Sequence, residues 1–209
     1  MNYWLIADTH FGHDETVDFC KRPKNFSDRI LKAVGLTITN GVMIHLGDIC
    51  FGNEESWHKS LMDSIPITVK RWLVLGNHDK KSMSWYMDHG WDFVGFQFAL
   101  NIYGLSIVFS HCPVRIHETQ INIHGHFHNL SDEIILKNEP DLMALKDERH
   151  KLLALEYTNY QPVSLKAFCF SISCNKYMAG AACSANPDKD WVCGSKPCVF
   201  SKRTLKDVV

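Results

Sequence analysis

Short β-prone apolar runs alternate along the chain with longer amphipathic stretches. Tyr3 to Ala7 predicts a first strand, and the stretch from Asp8 to Asn25 reads as loop. Ser27 is placed to cap a helix whose apolar residues Ile30, Leu31, Val34 and Ile38 share one face, and Asn40-Gly41 closes it. Val42 to Leu46 predicts a second strand. Asn53 is placed to cap a second helix with Trp57, Leu61, Met62 and Ile65 inward, and Pro66 stops it. Trp72 to Leu75 is a third, fully apolar strand that ends at Gly76.

The second half is richer in strands. Ser82 to His89 predicts a short helix. Trp91 to Asn101 and Gly104 to Ser110 read as two β segments joined at Tyr103-Gly104, and Gln120 to His124 as another strand. Leu130 to His150 is polar, with a helix expected after Pro140. Leu152 to Glu156 predicts the last strand, and Pro162 to Phe170 a closing helix. The βαβ start and the strand-rich continuation are reconciled by two sheets flanked by helices.

The polar residues that follow the strands carry the chemistry. The first strand runs into Asp8-Thr9-His10, the second into Gly47-Asp48, and the third into Gly76-Asn77-His78-Asp79. Two later strands run into His111 and into Gly125-His126-Phe127-His128. Carboxyl ends of strands are where open α/β sheets hold their ligands. Asp8, His10, Asp48, Asn77, His111, His126 and His128 offer oxygen and imidazole donors without thiolate. That set suits Mn, Fe, Zn or Ni rather than a structural zinc finger.

Seven donors exceed what one ion with open positions needs. They fit two ions if one carboxylate bridges, and Asp48, alone in its motif after a central strand, is the natural bridge. Two divalent ions bring about +4 and two carboxylates return about −2, so the site would attract an anion. Such a pair, ~3.5–4 Å apart, can clamp phosphoryl oxygens and deprotonate a bridging water near neutral pH. His78 is placed to protonate the leaving oxygen, and Asp79 to hold its imidazole in the right tautomer and raise its pKa. His13, Arg22 and Arg115 are candidate contacts for a substrate phosphate.

Other histidines read differently. His45 and His124 lie within strands and are expected to pack or to hydrogen-bond behind the ligands. His58, His89, His117 and His150 are expected at the surface, and Cys112 as a buried neutral thiol.

The ordered set Asp-x-His, Gly-Asp, Gly-Asn-His-Asp, an isolated His and Gly-His-x-His resembles the calcineurin-like metallophosphoesterases over residues 3 to 128. Finer matches at Asp8-Thr9-His10-Phe11-Gly12-His13, Ser110-His111-Cys112-Pro113, Asn122-Ile123-His124-Gly125-His126 and Glu156 to Val163 are similar to a small bacterial and phage branch. They carry the likeness to about residue 168. The resemblance implies an α/β fold, a four-layer αββα sandwich of two mixed sheets flanked by helices. It implies Asp8, His10, Asp48 and His128 on one ion and Asp48, Asn77, His111 and His126 on the other, with His78 near the leaving group.

Composition narrows the function. A chain of 209 residues allows one domain with an appendage: residues 1–168 as the phosphoesterase domain and 169–209 as a Cys-rich extension. Tail spacings such as Cys193-x4-Cys198 leave a small zinc site there as a lesser reading. A formal net charge of −1 gives no basic excess for tracking a nucleic-acid backbone. No apolar run approaches the ~20 residues of a membrane span, and no signal-peptide pattern opens the chain. The expected compartment is the cytoplasm. The expected activity is a dinuclear, metal-dependent phosphodiesterase on small, nucleotide-like phosphoesters. A nuclease, a phosphomonoesterase or protein phosphatase, and a non-catalytic scaffold are the alternatives.

Overall fold

The structure, a computed structural model, describes residues 1–173. In chain order the first elements are β1 (Tyr3–Ile6), α1 (Glu15–Phe19), α2 (Phe26–Thr37), β2 (Val42–His45), α3 (Glu54–Asp63), β3 (Lys70–Val74), α4 (Met83–Asp88) and β4 (Phe93–Gly95). Then come β5 (Gln97–Ile102), β6 (Leu105–Ser110), β7 (Gln120–His124), α5 (Asp132–Asn138), α6 (Pro140–Met143), β8 (His150–Leu152), β9 (Val163–Ser164) and α7 (Leu165–Ser173). Residues 1–163 form one compact unit. The tail beyond Ser173, with its proposed zinc site, lies outside the described residues.

One sheet has the order β4-β3-β2-β1-β9, and the ladders β1–β2, β2–β3 and β3–β4 are parallel. The other has the order β5-β6-β7-β8. There β5–β6 is an antiparallel hairpin, while β6–β7 and β7–β8 are parallel. The architecture is the expected α/β arrangement of two sheets flanked by helices.

Side-chain alternation decides what each face meets. Leu73 of β3 joins Ile6 and Met43 in a buried cluster with Phe26, Ile30, Val34 and Ile38 from α2 and its end, and with Leu61 and Ile65 from α3 and its end. Its neighbour Trp72 points the other way and meets Phe98 of β5, ring centres 5.5 Å apart. Burying each large apolar side chain of this kind contributes about 1.5–3 kcal/mol.

The structure departs from the pattern in several places. The stretch read as loop before Asn25 contains α1, held by the Thr16 hydroxyl, which donates to His13 O at 2.7 Å. Five residues are too few to print a helical period. Helix α2 begins at Phe26 rather than after Ser27, whose Oγ instead accepts the Gly12 N–H at 3.3 Å. The segment read as one strand from Trp91 to Asn101 breaks at the exposed Phe96, and its halves enter different sheets. The strand placed at Leu152 to Glu156 ends at Leu152. Leu153 to Leu155 stay buried while the chain turns back, Tyr157 N donating to Ala154 O.

Two histidines expected at the surface are buried. His58 packs among Trp85, Tyr86 and Trp91, with ring centres 5.0–6.4 Å away. His150 pairs with Asp147 and with Val114 O, the latter through Nε2 at 2.9 Å.

Candidate metal centre

Parallel ladders end level with one another, so the loops that follow them lie side by side. β1 and β2 finish as Ile6 faces His45, and β6 and β7 as Ser110 faces His124. Beyond its ladder the first pair stays zipped: Asp8 N donates to Gly47 O, His10 N to Asp48 O and Phe11 N to Ile49 O, at 2.9–3.0 Å. The turns are sharp. Asp8, His10, Asp48, His126 and His128 all sit in the left-handed region, at φ 51°, 45°, 56°, 73° and 49°. Non-glycine residues rarely take that conformation, and such strain concentrates at functional sites. Two glycines admit the carboxylates. A Cβ on Gly76 would overlap Asp48 Oδ1, and one on Gly125 would overlap Asp8 Oδ2.

The turns bring the candidate donors into one cluster, in which Asp8, His10, Asp48, His111 and His128 are buried, His126 is half-buried and Asn77 is exposed. His111 Nε2 lies 2.9 Å from Asn77 Oδ1, 3.1 Å from His126 Nδ1 and 3.4 Å from Asp48 Oδ2. Donors each ~2.1 Å from a shared ion and 90–109° apart would stand ~3.0–3.4 Å from one another. Beside this group, Asp8, His10 and His128 bring donor atoms within 4.8 Å of each other. His10 Nε2 faces the same Asp48 Oδ2 at 3.4 Å, and that buried nitrogen has no hydrogen-bond partner. Asp48 Oδ2 is therefore common to both groups.

Electrostatics sort the donors. Burial drives the His10 ring down to about 2, which leaves it neutral with a lone pair to give. Burial likewise pushes the Asp8 carboxyl up. Burial opposes the charged His111 ring too, but its hydrogen bond to Asp48 and the Asp8 and Asp48 charges lift it to about 9. Two buried carboxylates facing one another across imidazoles call for positive charge. An orphaned imidazole nitrogen, carboxylate oxygens and an amide oxygen fit a divalent ion in each half, with no thiolate needed.

The remaining candidates fall in different places. The His78 backbone N–H donates to Asp48 Oδ1 at 2.8 Å, and its half-buried ring stands 5.1 Å from the His10 ring, over the cluster. Asp79 does not orient that ring. Its carboxylate accepts Gly76 N–H and Asp48 N–H at 2.8 Å and Ile49 N–H at 3.0 Å. His13 stands behind His10, their Nδ1 atoms 3.0 Å apart, and stacks on Phe51 at 4.4 Å. Arg22 is buried and committed: it donates to Asp8 O, Thr9 O and Glu156 Oε1 at 2.8–3.1 Å. It braces the Asp8 loop rather than greeting a substrate. Arg115 is exposed on the loop after β6. Burial pushes the Cys112 thiol up to about 12, so it is neutral, as expected, though only half-buried.

Of three supporting groups, Glu156 and Glu139 were not assigned from sequence, while His45 hydrogen-bonds behind the ligand loops as its place in a strand suggests. Glu156 lies within 3.4 Å of His128 Nδ1, with Cys20 close by. Glu139 Oε2 meets His126 Nε2 at 2.6 Å. His45 links two ligand loops: the Thr9 hydroxyl donates to Ile49 O and so accepts from His45 Nε2, while His45 Nδ1 accepts Gly47 N–H. Of these, only His45, within a strand beside Gly47-Asp48, carried a signal in the sequence.

An α/β protein with a buried carboxylate–imidazole cluster at the carboxyl ends of strands from two sheets is thus defined. The family model for calcineurin-like phosphoesterases matches residues 1–170, and the chain belongs to that family. It is 26% identical over 173 residues to the uncharacterized protein MJ1445 of Methanocaldococcus jannaschii, covering 78% of this chain and 86% of that one. The crystal structure of the protein of unknown function AQ665 from Aquifex aeolicus superposes with a TM-score of 0.60 at 22% identity, over 80% of this chain and 97% of its own. A novel archaeal phosphodiesterase superposes with a TM-score of 0.39 at 17% identity, over 63% of this chain and 76% of its own. No helix among the described residues is long and apolar enough to cross a membrane.

Proposed function

We propose that the protein is a dinuclear metal-dependent phosphodiesterase acting on small, nucleotide-like phosphoesters. The observation that carries the reading is Asp48 Oδ2, which faces His111 Nε2 and His10 Nε2 at 3.4 Å each and so joins the two donor groups. Asp8, His10, Asp48 and His128 would hold one ion, and Asp48, Asn77, His111 and His126 the other, with manganese the leading choice. When bound, the ions supply positive charge for the phosphoryl oxygens and acidify water.

The chain's own residues do the rest. The shared carboxylate fixes the spacing of the two groups. The His78 ring stands over the cluster with no ring hydrogen bond among the described residues, free to give a proton to a departing oxygen. Phe51 and Phe19, 54% and 48% exposed, flank His13, whose ring adjoins that of His10. Flat apolar faces beside a polar cluster suit a nucleobase.

The test is turnover of an aryl phosphodiester by the purified chain with Mn²⁺. Activity is expected, with loss in Asp48→Ala. A chain that binds Mn²⁺ yet cleaves no phosphoester overturns the reading. His78→Ala should slow diesters with alkoxide leaving groups about 10²–10⁴-fold, and nitrophenyl diesters far less, because only the former need a proton.

A further inference from the structure

The segment between β7 and β8 carries a carboxylate into the candidate centre. Glu139 closes α5 and opens α6. Its backbone is held on both sides, its N–H donating to Ile135 O at 2.7 Å and its C=O accepting Met143 N–H at 3.0 Å. Pro140 follows, with φ fixed by its ring. Ile135 anchors α5 in the interior, and Lys146 clamps the segment by pairing with Asp132 at 2.7 Å. The arm is hydrogen-bonded through its backbone where it presents Glu139, whose Oε2 lies 2.6 Å from His126 Nε2.

The other nitrogen of that ring, Nδ1, is the one that faces His111 Nε2 at 3.1 Å. A neutral imidazole has one N–H and one lone pair. With the proton on Nε2 donated to Glu139, the lone pair is on Nδ1 and points into the cluster. A carboxylate behind a ligating histidine fixes its tautomer and raises its basicity, and losing such a partner costs about 10–100-fold in metal affinity.

We infer that Glu139 is a positioning residue: it sets the tautomer and orientation of His126, and so makes the segment between β7 and β8 a working part of the half of the centre that also contains Asn77 and His111. The inference rests on the metal-site reading above, and its test separates the two.

Metal-stripped wild-type protein, Glu139→Ala and Glu139→Gln are titrated with Mn²⁺ calorimetrically, and the His126 tautomer is read from ¹⁵N shifts of the metal-free proteins. Glu139→Ala should weaken one Mn²⁺ site about 10–100-fold and mix the His126 tautomers. Glu139→Gln keeps an acceptor oxygen and should restore the Nε2–H form and most of the affinity. Unfolding of Glu139→Ala in EDTA should match wild type, since the side chain is partly exposed. Wild-type affinity in Glu139→Ala, or an equal loss in both variants, overturns the role of Glu139. Failure of the wild-type chain to bind Mn²⁺ overturns the metal-site reading itself, while the tautomer measurement still decides the contact.

Discussion

Asp79 holds the loop of Asp48 by its backbone: one carboxylate oxygen accepts both Asp48 N–H and Gly76 N–H at 2.8 Å, and the other accepts Ile49 N–H at 3.0 Å. It straps together the turns that follow β2 and β3. Asp79→Ala leaves three amides without their acceptor, and such losses cost about 1–3 kcal/mol each when water cannot replace the bond. The variant should be several kcal/mol less stable in urea unfolding, even without metal. Were Asp79 only the orienting partner of His78, stability would hold and the pH profile alone would move.

Arg22 and Glu156 make a second strap, across 134 positions of sequence, with both side chains nearly inaccessible. Glu156 is held down to about 2: burial opposes its charge, and the His128 hydrogen bond with the Arg22 charge outweighs burial. Arg22→Met should cost about 3–5 kcal/mol by stranding that carboxylate. Arg22→Lys should still fall short of wild type by about 1–2 kcal/mol, because an ammonium cannot reproduce the planar fork to Asp8 O, Thr9 O and Glu156. Chemical denaturation of the metal-free proteins gives both numbers.

Those two straps mark the boundary of what could be read in the chain. The strands that carry the candidate donors were legible because each ends abruptly in Gly, Asp, Asn or His after an apolar run. The seven candidate donors are named from those endings alone. Asp79 was misassigned because adjacency to His78 suggested a dyad. Once the turn forms, its carboxylate is aimed back at β2. Arg22 reads as a candidate phosphate contact because nothing local reveals that Glu156 waits for it. Glu139 sits in a polar stretch without periodicity, so its contact with His126 exists only in three dimensions. Phe96 marks the same limit for topology: a sheet change inside an apolar run has no signature in hydrophobic spacing.

His58 gives a pH dependence whose sign is fixed. Burial, helped by His89 and opposed by Glu54, lowers it to about 4 from 6.5. As pH falls below about 6.5 the unfolded chain takes the proton first. The stabilisation is complete above 6.5 and is lost between 6.5 and about 4, at up to ~1.4 kcal/mol per pH unit. His58→Phe fits the aromatic surroundings of Trp85, Tyr86 and Trp91 and cannot titrate. Urea midpoints at pH 7, 6 and 5 should fall less steeply in the variant. A residual slope remains, since burial also drives His45 and His124 down to about 3. An unchanged slope would show that His58 takes up its proton alike in the folded and unfolded chain.

Phe51 tests the substrate class without touching the donor cluster. It is 54% exposed, stacks on His13 at 4.4 Å and stands 5.9 Å from His78. Stacking a base on an aromatic ring contributes about 1–3 kcal/mol. Phe51→Leu keeps an apolar cover over His13 but offers no ring. For a nucleoside phosphodiester it should raise KM about tenfold with kcat little changed, since the lost contact is the same in ground and transition states. For a dimethyl or other alkyl diester, KM should stay put. A parallel rise for both substrates would mean that Phe51 shapes the site rather than receives a base, and the nucleotide-like assignment would then lose its support.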